Sequence, residues 1–166
     1  MLKVRFVSFM VILLLAIGAT TNASGATSTS VKTDATFVGW ADGNSFEVIV
    51  NKKPIVIRVL DSNRGLVKNV AKGDVVTLTY WVNVKKQNIL GNTFAKKITT
   101  SRITYTGLID NHSFEGMLNN KPIVFRLTEK TLPLVSKLKT KAPITITYST
   151  NIQGQYTYYV LQNVAK

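Results

Sequence analysis

The residues best suited to catalysis stand together in one short stretch. His112 is the single histidine, and it lies between Asp110 and Ser113. A histidine, a carboxylate and a hydroxyl are the groups of a Ser-His-Asp hydrolase, in which the imidazole takes a proton from the nucleophile. Three close neighbours in a turn rarely reach the geometry of nucleophile, base and orienting acid. We therefore predict no catalytic residue, and a protein that is not an enzyme.

Two glutamates offer a second chemistry, since a pair of carboxylates is the machinery of glycoside hydrolysis. Glu47 and Glu115 are the candidates. If residues 51–54 form the loop of an antiparallel hairpin, Glu47 faces Arg58, and by the same spacing Glu115 faces Arg126. Such ion pairs set strand register and contribute only about 0.2–1 kcal/mol at a surface. We interpret the four residues as structural cross-strand pairs.

The sequence has few residues that could bind a metal ion. The chain has no cysteine, one histidine and eight acidic residues spread along its length. A metal site needs a cluster of such ligands. We predict neither a metal nor a cofactor.

Positive charge is the strongest chemical signal, with 21 lysines and arginines against 8 acids and a net charge of +13. Such an excess favours polyanions such as wall teichoic acid, anionic lipid head groups, extracellular DNA or acidic polysaccharide. The alternative is a solvated surface that keeps the protein soluble. Aromatic side chains on strands flanked by lysines are also typical of stacking platforms in basic grooves. The predicted binding residues are Lys52, Lys53, Lys85, Lys86, Lys96, Lys97, Trp81 and Tyr158.

An internal duplication must position these side chains. Gly39–Glu47 and Asn51–Arg58 recur as Gly107–Glu115 and Asn119–Arg126 at a constant offset of 68 residues. The same offset aligns Thr77–Tyr80 with the later strand pattern Thr-Ile-Thr-Tyr. A repeat of this kind predicts two copies of one structural unit.

Alternation of apolar and polar residues predicts which face of each hairpin is buried. The predicted inward residues are Phe46, Val48, Val50, Ile55, Ile57 and Val59, with Phe114, Gly116, Leu118, Ile123, Phe125 and Leu127 in the second copy. The predicted outward residues are Ser45, Glu47, Ile49, Val56 and Arg58, with Ser113, Glu115, Met117, Val124 and Arg126 in the second copy. Asp42 and Asp110 occupy matching tight turns, where a carboxylate accepts backbone N–H bonds.

The order in each unit is three strands, a short helical turn and two strands. A helix between the third and fourth strands is typical of an OB barrel. The sequence therefore predicts an all-β protein of two tandem small five-stranded OB-like barrels, each with one short helical turn. An SH3-like barrel has similar strands and stays open as the alternative.

The N-terminus predicts export. A basic start, an apolar run from Phe6 to Ile17 and small residues up to Ala26 form the pattern of a signal peptide. The run is shorter than the roughly 20 residues that span a bilayer. We predict a signal peptide at 1–26, a flexible leader at 27–35, β-domain repeat 1 at 36–102 and β-domain repeat 2 at 103–166. The mature protein is then secreted, without a transmembrane segment, and open to association with the cell wall.

The motif Gly-x-x-Asp-x-x-Ser-x-Glu, the Lys-Pro hairpin, the apolar-Arg strand and the later Gly-Asp-x-Val strand carry a resemblance. The pattern resembles the small repeated β-domain of uncharacterised secreted proteins from Gram-positive bacilli, and covers residues 36–164. The resemblance implies an exported, non-catalytic module, with no active site to carry over. The second copy departs from it at Ala142 and Pro143.

Two functions remain in view. The first is an exported binding protein that associates with cell-envelope or other extracellular polyanions. The second is a secreted inhibitor or interaction protein that presents hairpin loops, such as residues 85–91, to a protein partner.

Overall fold

The computed structural model describes residues 29–165, and within them two small closed β-barrels. The predicted signal peptide at 1–26 lies outside the described residues. Barrel 1 consists of β1 (Val31–Asp42), β2 (Ser45–Val50), β3 (Lys53–Arg58), β4 (Val75–Val82) and β5 (Asn88–Lys96). Barrel 2 consists of β6 (Ile98–Asp110), β7 (Ser113–Leu118), β8 (Lys121–Arg126), β9 (Pro143–Gln153) and β10 (Tyr156–Ala165). The predicted fold class of two tandem five-stranded barrels is confirmed.

Both barrels have the same strand connectivity. The order around barrel 1 is β1-β2-β3-β5-β4, and around barrel 2 it is β6-β7-β8-β10-β9. The third and fifth strands of each barrel are parallel, and the remaining pairs are antiparallel. A 3-10 helix (Asp61–Leu66) in barrel 1 and the helical turn α1 (Leu132–Val135) in barrel 2 follow the third strand. This order is that of an OB barrel rather than the SH3-like alternative.

Each barrel has its own hydrophobic core, and the predicted inward faces are confirmed. Phe46, Val48 and Ile57 are fully buried in barrel 1, as are Phe114 and Phe125 in barrel 2. The outward Val56 and Val124 are about half exposed. The period of two along each strand therefore places apolar side chains inside and leaves the other face to solvent.

The hairpin register differs from the prediction by two residues. Asn51 and Lys52 have positive φ angles of 49° and 66° and form a two-residue turn, so Lys53 already belongs to β3. Consecutive left-handed residues match the twist of the strands, and so they favour this tight turn over a four-residue loop.

The predicted cross-strand ion pairs are therefore wrong. Glu47 lies opposite Val56, while Arg58 lies opposite Ser45. In the second copy Arg126 lies opposite Ser113, and Glu115 lies opposite Val124. A slip of two residues preserves the face of every side chain, which explains why the predicted inward faces were right, although Ser45, predicted to point outward, is only 8% exposed.

Two predicted boundaries also need correction. Strand β1 begins at Val31, inside the predicted leader, because residues 31–36 pair with β4 and close the barrel. Strand β6 begins at Ile98, so residues 98–102, assigned by prediction to repeat 1, belong to barrel 2. Lys97 alone separates β5 from β6. With so short a connection, the two barrels lie against each other.

The cores of the two barrels fill matching positions differently. Ala35 and Val48 in barrel 1 correspond to Ile103 and Gly116 in barrel 2. A Cβ added to Gly116 would lie 2.6 Å from Ile103 Cδ1. In barrel 2 the large side chain is therefore on β6, and it fills the space beside Gly116 of β7.

A buried polar cluster joins the barrels. Asp74, only 3% exposed, accepts a hydrogen bond from Asn151 Nδ2 of β9 at 3.0 Å and pairs with Lys96 at 2.8 Å. Asn151 Nδ2 also donates to the Lys72 carbonyl at 3.0 Å, and Ile152 N–H donates to the Gly73 carbonyl at 2.7 Å. We name Asp74, Lys96 and Asn151 the inter-barrel clamp.

Candidate binding grooves

A surface groove of about 890 Å³ runs along β8 in barrel 2, between the start of β10 and the β6–β7 turn with Ser113, the first residue of β7. Pro122, Val124 and Arg126 line its floor, Thr157 and Tyr158 of β10 line one side, and the β6–β7 turn lines the other. OB barrels bind oligonucleotides and oligosaccharides on the face of strands 2 and 3 and the loops beside it. The groove, named here the Arg126 groove, occupies that position.

Arg126 and Tyr158 form the centre of this groove. The guanidinium carbon of Arg126 lies 3.4 Å from the centroid of the Tyr158 ring. This is a cation–π contact, which holds the planar guanidinium flat while its N–H groups stay available. Such a group can bind a phosphate or carboxylate through two parallel hydrogen bonds.

The β6–β7 turn is held in place by Asp110. Its Oδ1 accepts hydrogen bonds from His112 N–H at 2.7 Å and from the Ser113 hydroxyl at 2.9 Å. The bond from the His112 backbone and then that from Ser113 lower the pKa of the Asp110 carboxyl. Asp42 accepts a bond from Asn44 N–H at 2.6 Å in the matching turn, so the predicted turn role of both aspartates is confirmed. The ionised Asp110 organises the turn.

Barrel 1 carries a smaller groove at the equivalent position, with a volume of about 280 Å³. Ser45, Val56 and Arg58 line it from β2 and β3, and Lys86 lines it from the β4–β5 loop. Gln87 stands where barrel 2 has Tyr158, so this groove has a second cation in place of the aromatic stack. We name it the Arg58 groove.

The predicted lysines divide into two groups. Lys96 pairs with Asp74 in the clamp, and Lys97 pairs with Asp34. The hydrogen bond from Lys97 and a second from Thr77 lower the pKa of Asp34. Among the residues that the structure describes, Lys52, Lys53, Lys85 and Lys86 form no ion pair and are exposed. Only this second group presents an unpaired charge.

The predicted aromatic residues have different surroundings. Tyr158 lines the Arg126 groove beside Tyr156, with 6.4 Å between the ring centroids. Trp81 is half-buried on β4 opposite Ile89. Tyr80 and Tyr159 pack against the two cores. Tyr158 is therefore brought into a groove with a cation, while Trp81 lies apart from it.

Within residues 29–165, no group of three or more His, Cys, Asp or Glu side chains is placed to hold a metal ion. His112 belongs to the turn beside the Arg126 groove. No helix in the described part of the chain has the length and apolar character needed to cross a membrane.

Both arginines lie on the predicted outward face, but neither is in its predicted ion pair. The structure makes Arg58 and Arg126 groove residues, because the fifth strand of each barrel runs parallel to the third and brings its side chains beside them. The sequence pattern that could have indicated a binding role is the recurrence of an arginine at matching positions of the two repeats. Its aromatic partner lies 32 residues further along the chain, which no local pattern shows.

No family model matches the chain. The chain is 36% identical over 58 residues to the membrane-bound protein LytA of Bacillus subtilis strain 168. That match covers 35% of this chain and 57% of the LytA length, so the chain spans little more than half of its curated relative.

Two solved structures align with low scores. One is tetrameric p202 HIN2, with a TM-score of 0.33, 6% identity and coverage of 84% of this chain and 96% of that chain. Another is a multidomain protein with nucleic acid binding domains from Streptococcus pneumoniae TIGR4, with a TM-score of 0.28, 11% identity and coverage of 80% and 45%. At these scores the likeness supports no transfer of function.

Proposed function

We propose that this is an exported, non-catalytic binding protein for an anionic polymer of the bacterial envelope, with wall teichoic acid as the polymer class. The observation that carries the proposal is the contact of Arg126 with Tyr158 in a groove along strand 3 of an OB barrel, between strand 5 and the turn that joins strands 1 and 2. Tyr158 offers an apolar ring surface to a polyol or sugar unit, and Arg126 offers paired donors to the neighbouring phosphate.

The repeated architecture supports a linear ligand. Each barrel carries a groove at the same position, with Arg126 in one and Arg58 beside Lys86 in the other. A polymer with a regular spacing of charges gains avidity when it contacts two grooves on one molecule. The chain's net charge of +13 adds a long-range attraction for such a polymer.

The envelope location rests on two further observations. The N-terminal residues 1–26 have the pattern of a signal peptide, as described above. The curated relative carries the name membrane-bound protein and comes from Bacillus subtilis. Both support an exported protein that works at the surface of a Gram-positive cell.

Binding to purified cell walls tests the proposal. The protein is mixed with walls that retain teichoic acid and with walls stripped of it, at salt concentrations from about 50 to about 500 mM. We expect binding only to the intact walls, with a steep fall as salt rises, because counterions are displaced from the polymer on binding.

A matched pair of variants separates the grooves from general charge. Arg58→Ala with Arg126→Ala removes both groove arginines, while Lys137→Ala with Lys139→Ala removes the same charge from exposed positions after α1. We expect the first variant to lose most wall binding and the second to retain it. If both variants lose the same amount of wall binding, binding depends on net charge and not on the grooves. Binding to stripped walls would exclude teichoic acid as the ligand.

A protein partner is a second candidate function, favoured by one observation. Val84 is 95% exposed in the β4–β5 loop, although the loop is well ordered. The Asn83 side chain accepts hydrogen bonds from Lys85 N–H and Gln87 N–H, both at 2.9 Å. A loop-in-cleft complex through Val84 would be far less sensitive to salt than binding to a polyanion. Salt-resistant capture that Val84→Asp abolishes would support this function instead.

A further inference from the structure

A cleft of about 880 Å³ lies at the junction of the two barrels, away from both grooves. Its walls come from β1 and β2 of barrel 1 and from the β9–β10 turn of barrel 2. Sites for small molecules occur preferentially where domains meet and have volumes of roughly 300–1,000 Å³. The inter-barrel cleft has both properties.

Close backbone contact between the barrels forms the base of the cleft. Gly73 has a φ angle of +89°, and a Cβ added to it would lie 2.5 Å from the Ile152 carbonyl oxygen. The Gly73 carbonyl accepts the bond from Ile152 N–H, and its own N–H donates to the Phe37 carbonyl at 2.8 Å. Gly73 therefore ties β1 to β9, which gives the cleft a defined shape.

The lining of the cleft is mainly apolar. Val38 and Ile49 line it from barrel 1 and Ile152 lines it from barrel 2, while Phe37 contributes its backbone because its ring is buried in the barrel 1 core. Ile49 is an outward residue of β2 and stays partly exposed. Binding of an apolar ligand in a concave site is favourable because it removes exposed apolar surface from water.

Two cations complete the cleft. Lys52 and Lys72 both line it, and neither forms an ion pair in the part of the chain that the structure describes. The matching positions in barrel 2 are Asn120 and Thr140, so the duplicated unit lacks this charge. An apolar cavity with two ammonium groups complements a ligand with one apolar chain and one anionic head.

We propose that the inter-barrel cleft binds a single-chain fatty acid, with the acyl chain among Val38, Ile49 and Ile152 and the carboxylate between Lys52 and Lys72. Carboxylate and ammonium form charge-assisted hydrogen bonds, which fix the orientation of the chain. This site shares no residue with the Arg126 groove or the Arg58 groove.

Calorimetric titration with dodecanoate, below its micelle concentration, tests the site on the protein. Dodecyltrimethylammonium supplies the same chain with the opposite charge, and acetate supplies the head without the chain. We expect dodecanoate to bind at one site per molecule and the other two compounds not to bind, because the cleft requires both parts of the ligand. Backbone N–H signals of Ile152 and Gly154 are expected to shift on dodecanoate binding, because both residues line the cleft.

Charge reversal provides the matched comparison. Lys52→Glu with Lys72→Glu is expected to weaken dodecanoate binding by about tenfold or more, because two attractions become repulsions. Lys137→Glu with Lys139→Glu changes the net charge equally at exposed positions after α1 and is expected to leave dodecanoate affinity unchanged. The melting temperature of each variant checks that it remains folded.

Three results would overturn the proposal: no dodecanoate binding, equal binding of the cationic amphiphile, or equal losses in the two charge-reversal variants. If the Lys52/Lys72 variant unfolds, Ile49→Asn tests the apolar wall with both lysines in place, and unchanged dodecanoate affinity in it would also overturn the proposal. Wall binding by the grooves is measured separately, so either proposal can fail alone.

Discussion

Arg126 shows how a single side chain acquires a binding geometry. Its guanidinium carbon lies 3.4 Å from the centroid of the Tyr158 ring, while the alternating pattern of β8 keeps the side chain on the solvent face. The stack orders a side chain that otherwise has many rotamers, so less entropy is lost when an anion binds. Geometry as well as charge therefore contributes to the affinity of this groove.

The corresponding prediction concerns Arg126→Lys, which keeps the charge but removes the planar donors. We expect about two- to fivefold weaker binding to teichoic acid walls, equivalent to the loss of an exposed cation–π contact of about 0.5–1 kcal/mol. The melting temperature is expected to change little, because the side chain is exposed. Arg102→Lys, on the exposed face of β6, is the control. If Arg126→Lys and the parent protein bind with equal affinity, the side chain at position 126 acts only as a positive charge, and its planar geometry does not contribute.

At the scale of elements, the two barrels have one topology and different core packing. The volume that Val48 occupies on β2 is filled in barrel 2 by Ile103 of β6, which packs beside Gly116. Tightly packed interiors tolerate such exchanges when the total volume is conserved. The duplication has thus diverged through a paired change rather than through independent ones.

A double-mutant cycle tests this pairing. Gly116→Val alone is expected to destabilise barrel 2 by about 1–3 kcal/mol through overpacking, and Ile103→Ala alone by about 2–5 kcal/mol through a cavity. The combined variant reproduces the Ala35 and Val48 arrangement of barrel 1, so we expect a loss well below the sum of the two. Chemical denaturation gives the three free energies of unfolding. Simple additivity would contradict the proposed exchange of volume.

At the scale of the whole molecule, the inter-barrel clamp makes two small barrels into one unit. Burial of Asp74 would by itself raise the pKa of its carboxyl, but hydrogen bonds from Asn151, Lys96 and the Ala71 N–H outweigh burial and lower the pKa below 3.8. A buried charge of this kind is stable only while its partners remain. The second copy has Ala142 in place of Asp74, so the clamp is specific to this junction.

The clamp predicts an acid-sensitive junction. Because the folded pKa of Asp74 is lowered, its contribution to stability is present above the ordinary carboxyl pKa and is lost as pH falls through the folded value. Asn151→Ala removes the hydrogen bond that Asn151 Nδ2 donates to Asp74, so we expect the free energy of unfolding at pH 7 to fall by about 1–3 kcal/mol. The Asp74 pKa is expected to rise in this variant, which moves acid unfolding to higher pH.

Thermal unfolding between about pH 3 and pH 7 measures this effect, with the Asp74 carboxyl signal followed by NMR. Asn163→Ala, at an exposed position of β10, is the control and is expected to match the parent protein. An unchanged acid midpoint in Asn151→Ala would show that the clamp does not couple Asp74 to stability.

Much of the fold was predictable because it depends on local chemistry. The offset of 68 residues identified two units, and the period of two identified the buried faces. Strand β1 was predicted too short, because Thr33 and Asp34 are typical of a solvated leader until β4 pairs with them. The hairpin register was wrong because Lys52 is an unusual residue for the left-handed turn that it occupies.

The sequence by itself determined the duplication, the order of the elements and the side of each strand that faces the core. These properties follow from steric preferences and burial, which act between near neighbours in the chain. Tertiary structure alone decided which cations are free, since Asp34 and Asp74 reach Lys97 and Lys96 only when the first barrel closes. It also decided the stack of Arg126 on Tyr158 and the cleft between the barrels, because both need segments that are distant in sequence to meet in space.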